Sequence, residues 1–454
     1  MAESSGDGRR FGRTPDRPRG AQHWAAEQEV IGPGLQAVML WAQLCVESAA
    51  GAVLVDVDGN EIIDFQGAGG VNSIGHANPR LIAALTAELA TAPAGAFGSA
   101  GRRAMAESLR EFLPPPLDRI QLYSGGTEAV EAALRLAKSV TGKHEFLSFW
   151  GGFHGKTLGS LALTAGARAG LGPLPSGYFS APYANCYHCP LKMTFPSCGY
   201  ACVETVRETI KENSTGSLAA LVVEPVQGRS GNVVPPPGYL TALASVADEF
   251  DALLIVDEMM TGFGRTGESF AFMRDEVAPD IVTVGKGMGA GYPVTGVIST
   301  AELMAASPFA DPSASSSSFG AFPLACRAVA TTTDVLVDED LPSHVSKLGA
   351  EMLAALEPLV DESPLVGDVR GAGFAIGIEL VADKRSRRPL DKGTFRETFL
   401  ALVDAGVLVM TGGTTLRLYP PLNVDAELAE QAVEIIRRVL IDGAAPQHLE
   451  EVPA

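Results

Sequence analysis

Apolar and polar positions alternate over Ala52-Val-Leu-Val-Asp-Val-Asp58-Gly59-Asn-Glu-Ile-Ile-Asp-Phe65, two short runs on either side of an Asp-Gly pair. A period of two interrupted by Asp-Gly predicts a β-hairpin. Between about residues 100 and 330 the pattern changes, and short apolar runs alternate with stretches of helical period. Ile120-Gln-Leu-Tyr123 reads as a strand; in the following helix, 128–138, Val130, Ala133, Leu134 and Ala137 recur on one face. Further strands are expected at 146–149, 219–223, 253–256 and 281–284, each short, apolar and closed by Gly, Glu or Asp. Such alternation predicts an α/β domain with a large, mainly parallel sheet, whose chemistry gathers at the carboxyl ends of its strands. After Ser315-Ser-Ser-Ser318, a long helix from Leu324 and a mixed segment around Gly371–Leu380 predict a smaller α+β domain, and 425–440 is helical in pattern after the Pro420-Pro421 turn. No internal repeat is seen.

The expected organisation is a disordered tail over 1–24, an N-terminal part of the small domain over 25–75, a large domain over 76–335, the C-terminal part of the small domain over 336–445, and a tail over 446–454. A chain of 454 residues, 46% hydrophobic and 19% charged, suits a soluble globular protein of two or three domains, and no apolar run is long enough for a bilayer. Thirty-four Lys plus Arg against 53 Asp plus Glu give a formal charge of -19, which argues against nucleic acid as a partner and serves ordinary solubility. The first 24 residues carry Arg9, Arg10, Arg13, Arg17 and Arg19 among Gly, Pro and Ser with no hydrophobic segment behind them. They therefore read as a tail rather than an export signal, and the protein is expected in the cytoplasm without a membrane anchor.

Candidate chemistry centres on Lys286, inside Asp280-Ile-Val-Thr-Val-Gly-Lys-Gly-Met-Gly-Ala-Gly. A lysine attacks a carbonyl only as the neutral amine, which burial or a neighbouring cation favours. Glycines on both sides admit a planar group, and Asp257, closing the apolar run from Leu253, is costly to bury without a cationic partner such as a pyridinium nitrogen. Ser124-Gly125-Gly126-Thr127-Glu128 lies between a strand and a helix, where exposed amides and the helix dipole suit a phosphate; an ordinary N-cap reads from the same residues. Phe153-His154-Gly155-Lys156 follows another strand, with Phe153 able to lie on an aromatic ring. Gly262-Phe-Gly264-Arg-Thr-Gly267 satisfies the spacing of a dinucleotide loop, but Asp257 and Glu258 just before it would repel a pyrophosphate.

These motifs, with Gly75-His76, Glu224-Pro-Val-Gln-Gly, Val256-Asp-Glu-Met-Met-Thr-Gly, Ser318-Phe-Gly and Arg417-Leu-Tyr-Pro-Pro-Leu422, resemble in order the class III aminotransferases of fold type I, pyridoxal 5'-phosphate enzymes. The resemblance implies that Lys286 forms the Schiff base and moves the substrate proton, while Asp257 keeps the pyridine nitrogen protonated. It further implies that Gly125, Gly126 and Thr127 bind the phosphate, with Ser318 from the neighbouring subunit of a homodimer. Phe153, supported by His154, would lie on one face of the ring and Met259 on the other. Arg417 resembles the substrate-carboxylate clamp, and Glu224, also at the cofactor, resembles the acid that pairs with it.

Four sites depart from the common family pattern, one of them Ala321-Phe322 in place of a usual Gly-Asn before Pro323. Gly125 replaces a serine, Met260 a glutamine that contacts the cofactor's phenolic oxygen, and Lys156 an arginine that binds a distal carboxylate. Lys156 makes the putrescine and ω-amino-acid enzymes the better likeness. The expected function is therefore transfer of the amino group of a terminal primary amine, in a diamine, ω-amino acid or amino sugar, to 2-oxoglutarate or pyruvate. Decarboxylation, racemisation and intramolecular amino transfer stay open on the same scaffold. Cys186, Cys189, Cys198 and Cys202 have a spacing that can hold zinc, but a cytoplasmic protein tolerates free thiols, and no metal is expected.

Overall fold

In a computed structural model, the described residues are 11–442 apart from 93, 94, 96 and 167, so the tail expected over 446–454 lies outside them. Seven strands form the large sheet in the order Arg119–Tyr123, Thr295–Ser299, Ile281–Val284, Leu253–Asp257, Leu218–Val223, Glu145–Phe149 and Tyr178–Ala181. All run parallel except Thr295–Ser299, which is antiparallel to both neighbours. The central strands are buried along their whole length, which is why they read as unbroken apolar runs. Helix Gly126–Thr141 lays Val130, Ala133, Leu134 and Ala137 against the sheet, and Gly142, in left-handed backbone at φ 67°, ends it. Tyr178–Ala181 and Thr295–Ser299 lack a clear sequence signal, the first a short, half-exposed edge and the second interrupted by Gly296.

Both ends of the chain build the second sheet. Its order is Val46–Ala50, Val53–Asp56, Glu61–Phe65, Val407–Gly412, Thr415–Leu418, Ala375–Asp383 and Val366–Ala372, with Arg388–Pro389 on the side of Ala375–Asp383. Val53–Asp56 and Glu61–Phe65 form the expected antiparallel hairpin, and Glu61–Phe65 pairs in parallel with Val407–Gly412. The buried Asp56 organises the turn, its Oδ1 accepting from Asp58 N at 3.0 Å and Asn60 N at 2.8 Å, with Gly59 at φ 88°.

Where the expected tail enters the described residues, it is folded. Helix Pro18–Gln28 is capped from outside by Asp58, whose carboxylate accepts from Arg19 N at 3.0 Å and Gly20 N at 2.8 Å. Arg13 pairs with Asp404 at 2.7 Å and donates to Ala42 O at 2.6 Å. Arg13 and Arg19 meet Asp404 and Glu47, acids distant in the chain, and Arg17 donates to Ala42 O, a complementarity invisible to local composition.

Among the described residues no helix is long and apolar enough to cross a membrane. Trp41 meets Phe399 of helix Lys392–Asp404 edge-on, with centroids 5.7 Å apart. Because Phe399 is fully buried, Phe399→Ala is expected to remove about 3–5 kcal/mol of stability. A lowered urea midpoint, with earlier proteolysis of the N-terminal segment, checks this.

Candidate active site

The carboxyl ends of the large sheet's parallel strands carry Asp257, Glu224, Lys286, the Phe153-His154 loop and the Gly125-Gly126-Thr127 loop, while Arg417 comes from Thr415–Leu418 of the second sheet. Asp257 ends Leu253–Asp257, and its Oδ2 meets His154 Nδ1 at 2.7 Å. Its Oδ1 accepts from Thr283 Oγ1 at 2.8 Å and from Met259 N at 3.1 Å. Burial pushes this carboxyl up, but the bonds from His154, Thr283 and Met259 outweigh it and hold Asp257 below the usual carboxylate range. His154 follows the same logic: burial works against its cation, Asp257 favours it more, and its pKa rises. Thr283 sits opposite Asp257 in the parallel register, so only strand pairing could have revealed it. Glu258 turns away and accepts from Thr261 Oγ1 and Phe272 N; burial brings its pKa to about 7.

Lys286 starts a short helical turn, Lys286–Gly289, with left-handed backbone at φ 45°. Burial lowers its pKa, opposed by Asp257 and Glu224 and reinforced by Arg417 and Arg265. Gly285 just before it is required by space, since a Cβ there would lie 2.4 Å from Met259 Sδ and 2.8 Å from Thr295 Cγ2. Met259 also lies 3.5 Å from the Cβ position of Gly126, which wedges its thioether between the lysine turn and the Gly125-Gly126-Thr127 loop.

That loop opens helix Gly126–Thr141, whose first-turn amides have no carbonyl partner inside the helix. Glu128 Oε2 takes Ser124 N and Gly125 N at 2.9 and 2.8 Å, leaving Gly126 and Thr127 N–H for an outside anion. Thr127 Oγ1 is held by Thr157 Oγ1 at 2.7 Å and Ser160 Oγ at 2.6 Å, two hydroxyls missed from sequence.

Glu224 and Arg417 do not form the expected direct pair. Glu224 Oε1 accepts from Phe153 N at 2.8 Å and Oε2 from Gly228 N at 3.0 Å, while Arg417 Nη1 donates to Gly228 O at 2.9 Å. Gly228 therefore stands between the two, and burial pushes Glu224 up toward the neutral acid. Arg417 is held instead by the Thr411 carbonyl and by Tyr419 Oη, with its buried Nε unpartnered. Met260 packs with Val226 and Tyr419. Lys156 and Ser318 are exposed, and among the described residues no hydrogen bond joins Ser318 to the Thr127 loop.

Pyridoxal phosphate suits these residues. A buried carboxylate kept ionised calls for a cation, the orphaned first-turn amides call for an anion, and glycines 126 and 285 leave room for a flat ring that a Cβ would close. The four cysteines of the 186–202 segment line a separate narrow cavity of about 20 Å³. All are free thiols; burial raises Cys186 and takes Cys202 to about 11. Among the described residues no group of three or more His, Cys, Asp or Glu is placed to hold a metal ion.

Solved structures of similar proteins superpose on nearly the whole chain. An amine transaminase from an uncultivated Pseudomonas species, in its PLP-bound form, is 30% identical with a TM-score of 0.85, covering 91% of this chain and 98% of that one. An (S)-enantioselective omega-transaminase from Thermomicrobium roseum is 30% identical with a TM-score of 0.86, covering 94% and 99%. Ornithine aminotransferase from Toxoplasma gondii is 26% identical with a TM-score of 0.79, covering 93% and 94%. The family model for aminotransferase class-III matches residues 37–440. A match of that length, with the lysine and aspartate motifs inside it folded into one cleft, places this chain among the class III aminotransferases, enzymes that work with pyridoxal phosphate.

Proposed function

We propose that the enzyme moves the amino group of a terminal primary amine, in a diamine, an ω-amino acid or an amino sugar, to 2-oxoglutarate or pyruvate in the cytoplasm. The observation that carries this reading is the meeting of a charge-disfavoured Lys286, an ionised Asp257 and a buried Arg417 at one cleft. Bound pyridoxal phosphate supplies an electron-poor ring that takes up the electron pair left when a carbon–hydrogen bond breaks. Asp257 is the counter-charge for a protonated ring nitrogen, and His154 with Thr283 fixes its orientation.

Lys286, whose cation burial disfavours, would be the amine that holds the cofactor's aldehyde group and would carry the substrate proton at its Nζ. The Gly126 and Thr127 amides would hold the phosphate, with Ser318 of a second subunit completing the site in a homodimer. Phe153 and Met259 would flank the cofactor, Arg417 would take a substrate carboxylate through its fork of donors, and the exposed Lys156 would offer a point charge.

Incubating holoenzyme with a panel of diamines, ω-amino acids and amino sugars should yield carbonyl product and new amino acid in equal amounts; absence of transfer from every donor would sink the reading. Lys286→Ala should lower kcat by about 10²–10⁴-fold or more. Because the attacking form is the free amine, cofactor uptake by apoenzyme should slow as pH falls through the lowered Lys286 pKa. The inflection is expected below the ordinary lysine value of about 10.4, followed by absorbance against pH. Gly285→Ala, driving a methyl into Met259, should raise the Kd for pyridoxal phosphate about tenfold by fluorescence titration.

A further inference from the structure

Lys286 and Ala290 bracket their short turn with left-handed backbone, at φ 45° and 47°. Residues with a Cβ adopt that conformation reluctantly, and it persists only where neighbours enforce it. Inside the turn, Met288 N donates to Gly285 O at 3.0 Å and Ala290 N to Gly287 O at 3.3 Å. The enforcing contact from elsewhere in the chain is Ser73, a side chain only 1% exposed, whose Oγ donates to Gly287 O at 2.7 Å across 214 positions of sequence. Among the described residues no other hydrogen bond reaches the turn from outside it. The two residues also pack closely, since a Cβ on Gly287 would lie 3.4 Å from Ser73 Cβ.

The segment that carries Ser73 follows Glu61–Phe65 of the second sheet and is strapped to the residues after Arg417. Phe65 O accepts from Tyr419 N at 2.7 Å, Ser73 O from Leu422 N at 2.7 Å, and Ile74 O from Asn423 Nδ2 at 2.9 Å. Ser73 is therefore bonded through its hydroxyl to the lysine turn and through its carbonyl to the chain leaving Thr415–Leu418, so one residue ties together groups delivered by two sheets. An alanine there would keep the second bond and lose the first, leaving the buried Gly287 carbonyl with only the longer bond from Ala290.

We infer that Ser73 is a positioning residue, whose hydroxyl holds the lysine turn in its left-handed form and so sets where Lys286 Nζ stands relative to the cofactor and to Arg417. This rests on the reading of Lys286 given above and extends it to a residue of the small domain.

The test follows holoenzyme of the wild type, Ser73→Ala and Ser73→Thr in two ways. Cofactor absorbance is recorded against pH. Asp257, Glu224, Arg417 and Arg265 are the charges that act on Lys286, and none is altered, so a moved midpoint reports the placement of the amine itself. Burial is what disfavours its cation; a lysine held less firmly reaches water more easily, and the midpoint should move up in Ser73→Ala. Steady-state rates with one amine donor and pyruvate should show kcat lowered about 10–100-fold by the misplaced amine. KM should change far less, because the bond to Leu422 uses the Ser73 backbone and survives the substitution. Ser73→Thr, which keeps the hydroxyl, should restore most of both readouts. A residue that only stabilises the fold would lower the melting temperature and leave the midpoint where it was. If either midpoint or kcat stays at the wild-type value in Ser73→Ala, the inference is overturned while transamination stands. Cofactor fixed covalently by borohydride in Lys286→Ala defeats the lysine reading, and this inference with it. Should wild type transfer no amine at all, the broader reading fails, and the absorbance titration alone decides on Ser73.

Discussion

A carboxylate kept charged inside a protein is the constraint around which this molecule is arranged. Asp257 sits at the end of a buried central strand, where desolvation raises its pKa, and three donors outweigh that push. Each comes from a different part of the fold: Thr283 from the adjacent parallel strand, His154 from the loop after Glu145–Phe149, and Met259 N from the turn that Asp257 itself begins. Shifting any of these strands by one residue would turn its donor to the opposite face of the sheet. The register of the sheet and the ionisation of the site are thus one and the same problem.

The remaining charges in the cleft are graded by how they are solvated. Glu224 spends both oxygens on backbone amides and drifts toward the neutral form, while Arg417 is ringed by carbonyl and hydroxyl oxygens. Gly228 serves both residues through its two backbone groups, so they communicate without touching. Lys286 lies where burial disfavours its cation more than Asp257 and Glu224 favour it. An amine whose cation is disfavoured and a carboxylate whose anion is favoured can then sit near one another because their surroundings set their charge states separately.

Much of this was legible in the sequence because the site is built from strand ends. An apolar run followed by a polar or glycine-rich turn announces both the strand and the residue it presents, as with Asp257, Gly126 and Lys286. What composition concealed depends on partners distant in the chain. Thr283 acquires its role from register, the segment around Arg13 and Arg19 folds onto Asp404 and Asp58, and Glu224 is diverted from Arg417 by an intervening peptide. Thr295–Ser299 escaped notice because a glycine breaks its apolar run, and Thr157 and Ser160 because the short helix Leu158–Leu163 that they open turns toward Thr127 only in the fold.

The second sheet joins Glu61–Phe65, near the start of the chain, to Val407–Gly412, near its end. During synthesis the N-terminal hairpin therefore emerges with one edge unpaired and stays so while the whole seven-stranded domain is made. Closing so long a loop costs entropy that only the finished polypeptide can recover. Until release from the ribosome, that bare strand is open to pairing with other chains, which makes the interval of translation the period when the molecule is most exposed to aggregation.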